Sequence, residues 1–190
     1  ELAQLSMGRR AVPTLVGLAS VLAVSAAASL AWPDAALRVF GATVLATAAW
    51  LARDDVARRM IHTDGLRRYN AAALLAGYFW LGAAGLTWLL AGVPEQHATY
   101  DIVLHATFLG FGVSMVMAHA PIILPAVLGR SLPYRPVSWV PLIALHVGML
   151  ARVVGVVGDW TPLWQAGSVL ALTALLLFVV VSLVLVVRAR

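Results

Sequence analysis

Six long apolar stretches fill most of this 190-residue chain and constrain its fold more than any other feature. Only short segments separate them, and those segments carry most of the charged residues. A helix needs about 20 apolar residues to cross the hydrocarbon core of a bilayer. Each stretch is long enough for one such helix. The predicted spans are Ala11–Trp32, Ala35–Ala52, Ala71–Val93, Tyr100–Gly129, Val137–Val157 and Leu163–Val187.

The composition indicates that lipid is the solvent for most of the chain. Hydrophobic residues make up 62% and charged residues only 11%, whereas a soluble domain carries roughly a quarter charged residues. Lipid offers no partner to backbone amides, so each span must satisfy its own amides as a helix. The alternating segments of about ten residues that are typical of a membrane β-barrel are not seen. We therefore predict an all-α integral membrane protein, with residues 1–190 forming a single domain of six transmembrane helices.

Arginine placement predicts the orientation. All 13 basic residues are arginine, and most of them fall on one side of a six-span topology. The opposite side receives acidic residues. Because cytoplasmic loops carry the excess of positive charge, we predict an N-in/C-in bundle in the inner (plasma) membrane of a bacterium, with no nucleic-acid partner. The arginines on the predicted inner side are Arg9, Arg10, Arg53, Arg58, Arg59, Arg67, Arg68, Arg130, Arg135, Arg188 and Arg190, and the acidic residues opposite are Asp34, Glu95, Asp101 and Asp159.

Three further features refine this prediction. The charged segment 53–70 predicts an interfacial amphipathic helix or an ordered loop, and Pro121 and Pro125 are expected to break the end of the fourth span. The chain has no cysteine, which excludes disulfides, thiolate metal sites, iron–sulfur clusters and covalently attached c-type haem. It begins at Glu1 rather than Met, as a mature product, a fragment or a piece of a longer protein would.

Three histidines lie within predicted spans and are functional candidates, because an ionisable group in lipid needs a partner. His105 and His119 are 14 positions apart in the fourth span. At about 100° per residue they differ by only ~40° around an α-helix, and they are about 21 Å apart along its axis. Gly112 lies midway on the same face and leaves room for a large planar ligand. His146 lies in the fifth span.

This histidine spacing predicts haem ligation. Two histidines so far apart cannot share one ion, but each can ligate its own haem iron through a neutral imidazole, and the spacing resembles that of dihaem cytochrome b helices. We predict a b-type haem between His119 and His146, whose depths match at about 14–15 Å from the inner ends of their spans. His105 would then ligate a second haem or a metal ion, with His97 or a methionine as its partner. The alternative is that each histidine only forms a hydrogen bond between helices.

Arg152 is the only charged residue deep within a predicted span. A buried guanidinium needs an anion or several carbonyl groups. A haem propionate, Asp101 or Asp159 would serve, and the alternative is that the side chain extends to the outer interface.

The fourth span also resembles a known family. The residues His105-Ala106, Gly110, Met115, Ala118, Leu128-Gly129 and Arg135-Pro136 are similar to a motif of the NnrS family. Those proteins are multi-span membrane proteins regarded as containing haem and copper and linked to nitric oxide metabolism. The resemblance implies haem b as the cofactor and copper as a second candidate metal.

The leading functional hypothesis is a membrane b-type haem-binding protein that passes electrons between a quinone or a partner subunit and a redox enzyme, in a respiratory or nitrogen-oxide-related pathway. The alternatives are a proton or anion transporter that uses His105, His119 and Arg152, and an accessory subunit of a larger membrane complex. The expected partners are lipid and other membrane-protein subunits. The sequence contains no nucleophile–base pair, carboxylate dyad or phosphate loop, so we expect any catalysis to be redox chemistry at a bound metal.

Overall fold

The computed structural model describes residues 11–129 and 134–188, and all regular structure in these two ranges is helical. Six of its helical segments are long and apolar enough to cross a membrane, which confirms the predicted all-α, six-helix architecture. Arg9, Arg10, Arg130 and Arg190 lie outside the described residues. The helices are α1 Ala11–Ala28, α2 Pro33–Asp54, α3 Ala57–Met60, α4 Gly65–Ala91, α5 His97–His105, the π-helix Ala106–Val113, α6 Ser114–Leu128, the 3-10 turn Pro136–Ser138, α7 Trp139–Val157 and α8 Thr161–Arg188.

The fourth span is one continuous helix of three parts, α5, the π-helix and α6. The prediction that Pro121 and Pro125 break it is wrong, because both prolines lie inside α6, which continues to Leu128. Helices in lipid tolerate proline where neighbouring groups satisfy the freed backbone carbonyls. The helix ends at Gly129, whose φ of 61° suits a left-handed C-terminal cap.

The connector between α2 and α4 is shorter than the predicted segment 53–70. The helix α2 extends to Asp54 and α4 begins at Gly65, so the single turn of α3 and its flanking residues remain. Asp55 fixes this connector, because its carboxylate accepts hydrogen bonds from the Ala57 backbone N–H at 2.7 Å and from the Tyr78 hydroxyl at 2.9 Å. We call this end of the bundle the arginine-rich end, and the opposite end, with residues 29–32, 92–96 and 158–160, the acidic end.

Glycine allows two pairs of helices to approach closely. A Cβ added to Gly85 of α4 would lie 2.6 Å from the backbone nitrogen of Leu45 in α2. A Cβ added to Gly148 of α7 would lie 2.7 Å from the backbone nitrogen of Ala171 in α8. Small residues at such contacts let helix backbones pack together in lipid, where no hydrophobic effect drives their association.

The fourth span lies between these two helix pairs. It packs against α4 along its length and against α7 through α5 and the π-helix. The buried core between them includes Tyr69, Trp80, Met117, Leu145 and Met149. By contrast, α1 packs against α2, and Ser25 is the one residue of α1 that is buried. The polar side chains of interest therefore lie where the fourth span meets α4, α7 and α8.

Candidate functional site

A buried ion pair joins the fourth span to α7. Arg152 donates hydrogen bonds from Nε to Oδ2 of Asp101 at 3.0 Å and from Nη2 to Oδ1. The two residues are only 8% and 4% exposed. The Nη1 group of Arg152 donates to the hydroxyl of Ser168 in α8, which donates in turn to the Trp164 carbonyl oxygen. The guanidinium carbon lies 4.9 Å from the Trp164 ring centroid.

This arrangement selects one of the partners considered for Arg152. Its charge is compensated by Asp101, in the two-bond geometry that a guanidinium and a carboxylate form best. The side of the guanidinium that would form two parallel hydrogen bonds with a haem propionate is already occupied by Asp101. Arg152 thus joins the fourth span, α7 and α8, and its contact with a cofactor stays a prediction.

His105 lies beside the same carboxylate. Its Nδ1 is 2.8 Å from the backbone oxygen of Asp101 and 3.5 Å from Oδ1 of the Asp101 side chain. A carbonyl oxygen only accepts, so this hydrogen bond assigns the proton of the neutral ring to Nδ1 and leaves a lone pair on Nε2. That tautomer, with the other nitrogen bonded to a carbonyl, is the usual one for a metal-ligating histidine.

The π-helix changes the relation between His105 and His119. It occupies the eight residues Ala106–Val113, directly after His105. Its i to i+5 hydrogen bonds make a wider turn than an α-helix, so each residue advances by less than the 100° used to place the two histidines on one face. The predicted shared face rests on α-helical geometry that this segment does not have.

His119 is exposed on the side of the bundle, where α6 and α8 enclose an apolar groove of 540 Å³. Its Nδ1 is 2.8 Å from the Met115 carbonyl oxygen, so its Nε2 also carries a lone pair. The groove is lined by Met115, His119 and Ile123 of α6 and by Phe178, Val179 and Ser182 of α8.

His146 differs from the other two histidines. The indole Nε1 of Trp80 in α4 donates to its Nδ1 at 3.0 Å. Because an indole nitrogen only donates, the proton of a neutral His146 ring is on Nε2, and that atom is buried without a partner among the described residues. A protonated Nε2 has no lone pair for iron. The predicted pairing of His146 with His119 on one haem would require this hydrogen bond to break.

Trp80 is a site residue that sequence reasoning missed. It packs against the π-helix, where a Cβ on Gly110 would lie 2.5 Å from the Trp80 Cβ. The available signal was a tryptophan in the middle of an apolar stretch, away from the interfaces where this residue normally anchors. A buried indole usually has a hydrogen-bond acceptor, and His146 is that acceptor.

These histidines could each supply a single ligand to a metal ion or haem, but they do not form a group of ligands. In residues 11–129 and 134–188, no three His, Asp or Glu side chains are grouped so that they could hold one ion. Gly112 has open space, since a Cβ there would meet nothing nearer than the Thr107 carbonyl oxygen at 3.5 Å. His105 and His119 each present one free nitrogen in the appropriate tautomer, and His119 opens onto the groove between α6 and α8.

The six apolar helices are those of a multi-pass membrane protein with an ion pair buried in its bundle. Within that class the chain belongs to a family described as a domain of unknown function, DUF8744, whose model matches residues 1–187. No curated protein matches the chain, and no solved structure does. The resemblance to the NnrS family stays a prediction.

Proposed function

We propose that this chain is a haem-binding protein of the bacterial inner membrane that holds one b-type haem in the groove beside His119. The observation that carries the proposal is the free Nε2 of an exposed histidine that opens onto an apolar groove of 540 Å³. Ligand sites for small molecules commonly measure about 300–1,000 Å³.

The position of His119 makes a ligand physically reasonable. The residue lies nine positions before the end of α6 at Leu128, about 14 Å along the helix axis. With the arginine-rich end in the cytoplasm, that depth is inside the hydrocarbon region. An imidazole nitrogen without a hydrogen-bond partner is costly there. Coordination to iron would satisfy it.

The chain's own residues would hold and orient the ligand. The Met115 carbonyl oxygen accepts the Nδ1 proton at 2.8 Å, which fixes the ring orientation and makes Nε2 a better ligand. Phe178, Val179 and Ile123 supply apolar walls that exclude water. A bound haem would supply one-electron redox chemistry. The role we propose is electron transfer to a membrane partner in a respiratory or nitrogen-oxide-related pathway.

The test is haem content and the absorbance spectrum of the purified chain, oxidised and then reduced with dithionite. We expect the wild-type protein to contain haem and His119→Ala to lose most of it. His146→Ala is the matched control and should keep its haem, because Nδ1 of His146 accepts the hydrogen bond from Trp80 and the ring has no lone pair left for iron. Wild-type protein without haem after expression with haem supplied, or equal haem in both variants, contradicts the proposal. Copper, for which His105 is the candidate ligand, is quantified in the same samples.

One observation favours a second function, proton translocation. Asp101 lies in a predicted span between Arg152 and His105, and ionisable groups placed in this way form proton paths in membrane transporters. Arg152 is neutralised by Asp101, so a proton is a more suitable substrate than an anion. Proteoliposomes with an internal pH dye would detect the flux, and His105→Ala should abolish it. A flux equal to that of empty liposomes rules this function out.

A further inference from the structure

A second cavity lies at the acidic end of the bundle. It measures 380 Å³ and is lined by His97 at the start of α5, by Gly155 and Val156 of α7, and by Asp159, Thr161 and Trp164. We call it the acidic-end cleft. Its lining differs from that of the groove beside His119, because it combines hydrogen-bonding side chains with an aromatic wall.

The polar side chains of this cleft are available to a ligand. Within the described residues, Asp159 and His97 have no side-chain hydrogen bond or ion pair, and both are exposed. The other aspartates at this end are paired, Asp34 with Arg38 and Asp101 with Arg152. A carboxylate only accepts hydrogen bonds and an imidazole can accept one. Asp159 and His97 therefore offer acceptors to a ligand that donates hydrogen bonds.

Contacts with neighbouring residues hold the Trp164 ring, which forms the aromatic side of the cleft, in place. The Trp164 and His97 rings lie 6.0 Å apart with an interplanar angle of 66°. Trp164 also lies against the Arg152 guanidinium, and its backbone is so close to α7 that a Cβ on Gly155 would lie 2.7 Å from the Trp164 Cα. These contacts fix the ring before any ligand arrives, which lowers the entropic cost of binding.

We propose that the acidic-end cleft binds the head group of a membrane hydroquinone. Its two hydroxyl groups would donate to Asp159 and His97, while its planar ring packs against Trp164 and Val156. An oxidised quinone has only acceptors to offer and would leave the Asp159 carboxylate without a donor, and a small anion would be repelled by that carboxylate. The cleft lies at the end of the apolar helices, where a head group can bind while its isoprenoid tail stays in lipid. Binding of the hydroquinone does not depend on the proposed haem. A role for the hydroquinone as the chain's electron source does rest on that haem.

The experiment is equilibrium dialysis of decylubiquinol against the purified full chain in nanodiscs, under anaerobic conditions. We expect saturable binding by the wild type. Asp159→Asn and His97→Phe should each bind about tenfold or more weakly, because each variant loses a hydrogen bond between the ligand and a polar or charged side chain. Glu95→Gln is the matched control, since Glu95 is exposed at the same end but does not line the cleft. It should bind as the wild type does.

Three results overturn the proposal: no saturable binding to the folded wild type, unchanged binding in both cleft variants, or an equal loss in Glu95→Gln. Tighter binding of tetramethylammonium than of decylubiquinol would also overturn it and would assign the cleft to organic cations. Circular dichroism and melting temperature verify that the variants fold. Haem content is measured on the same samples, and His119→Ala protein should still bind decylubiquinol, so failure of the haem proposal is distinguished from failure of this one.

Discussion

Asp101 and Arg152 lie 51 positions apart in sequence and are joined by two hydrogen bonds inside the bundle. The pair connects α5 with α7, and Ser168 extends the connection to α8. Taking two charges out of water and lipid headgroups is costly, and the pair is stable only because each charge compensates the other. Its energetics can therefore be tested by removing one partner or both.

We expect Asp101→Leu alone to lower the free energy of unfolding by about 3–5 kcal/mol, because it leaves the Arg152 charge buried and unpaired. The double variant Asp101→Leu/Arg152→Met should be substantially more stable than that single variant. A double-mutant cycle, measured by denaturation in detergent micelles, gives the coupling energy. Additive effects of the two substitutions would mean that the pair does not form.

The contact between α7 and α8 should be sensitive to a single methyl group. Gly148→Ala places a Cβ 2.7 Å from the Ala171 nitrogen, so the helices must separate, at a cost of about 1–3 kcal/mol. Gly112→Ala is the matched control. Its Cβ has space, and its melting temperature in detergent should be unchanged or slightly raised. If the Gly148 variant has the same melting temperature as the control, α7 and α8 are not in this close contact.

The hydrogen bond from Trp80 assigns a tautomer to His146 that can be observed directly. In nitrogen-15 NMR spectra of histidine-labelled protein, we expect the His146 proton on Nε2, whereas His105 and His119 should carry theirs on Nδ1. Trp80→Phe removes the donor, so His146 should lose its fixed tautomer while His105 and His119 keep theirs. A wild-type His146 protonated on Nδ1 would contradict the arrangement.

The orientation of the bundle can be tested with introduced thiols, since the chain has no cysteine of its own. His62→Cys lies in the connector at the arginine-rich end, and Gln96→Cys precedes α5 at the acidic end; both positions are exposed. A membrane-impermeant maleimide added to intact bacterial spheroplasts should label Gln96→Cys and leave His62→Cys unlabelled until the cells are lysed. The reverse pattern would invert the predicted topology.

The helices could be predicted from sequence because the signals of a membrane helix lie within one short stretch of the chain. Their length, apolar content and flanking arginines are all visible within about twenty-five neighbouring residues. The requirement of a buried Arg152 for an anion was equally visible, and Asp101 was among the few candidates. The sequence could not show which of those anions pairs with Arg152, because the pairing depends on how the fourth span packs against α7.

The histidines show where such reasoning stops. Their presence within spans was evident, but their tautomers depend on which neighbours donate or accept. Trp80 reaches His146 from 66 positions away, and no pattern near either residue indicates the bond. The angle between His105 and His119 was calculated for an α-helix, and the intervening π-helix has no sequence signature that we recognised.

The π-helix lets one span present two independent surfaces. Upstream of it, α5 directs Asp101 towards Arg152. Downstream, α6 directs its buried Met117 and Ala118 into the core and leaves His119 on the groove. In a regular α-helix the directions of these two halves would be tied by a constant rotation per residue. Deleting one residue from Ala106–Val113 to restore α-helical geometry would turn α6 relative to α5. His119 could then no longer face the groove while Asp101 kept its hydrogen bonds to Arg152.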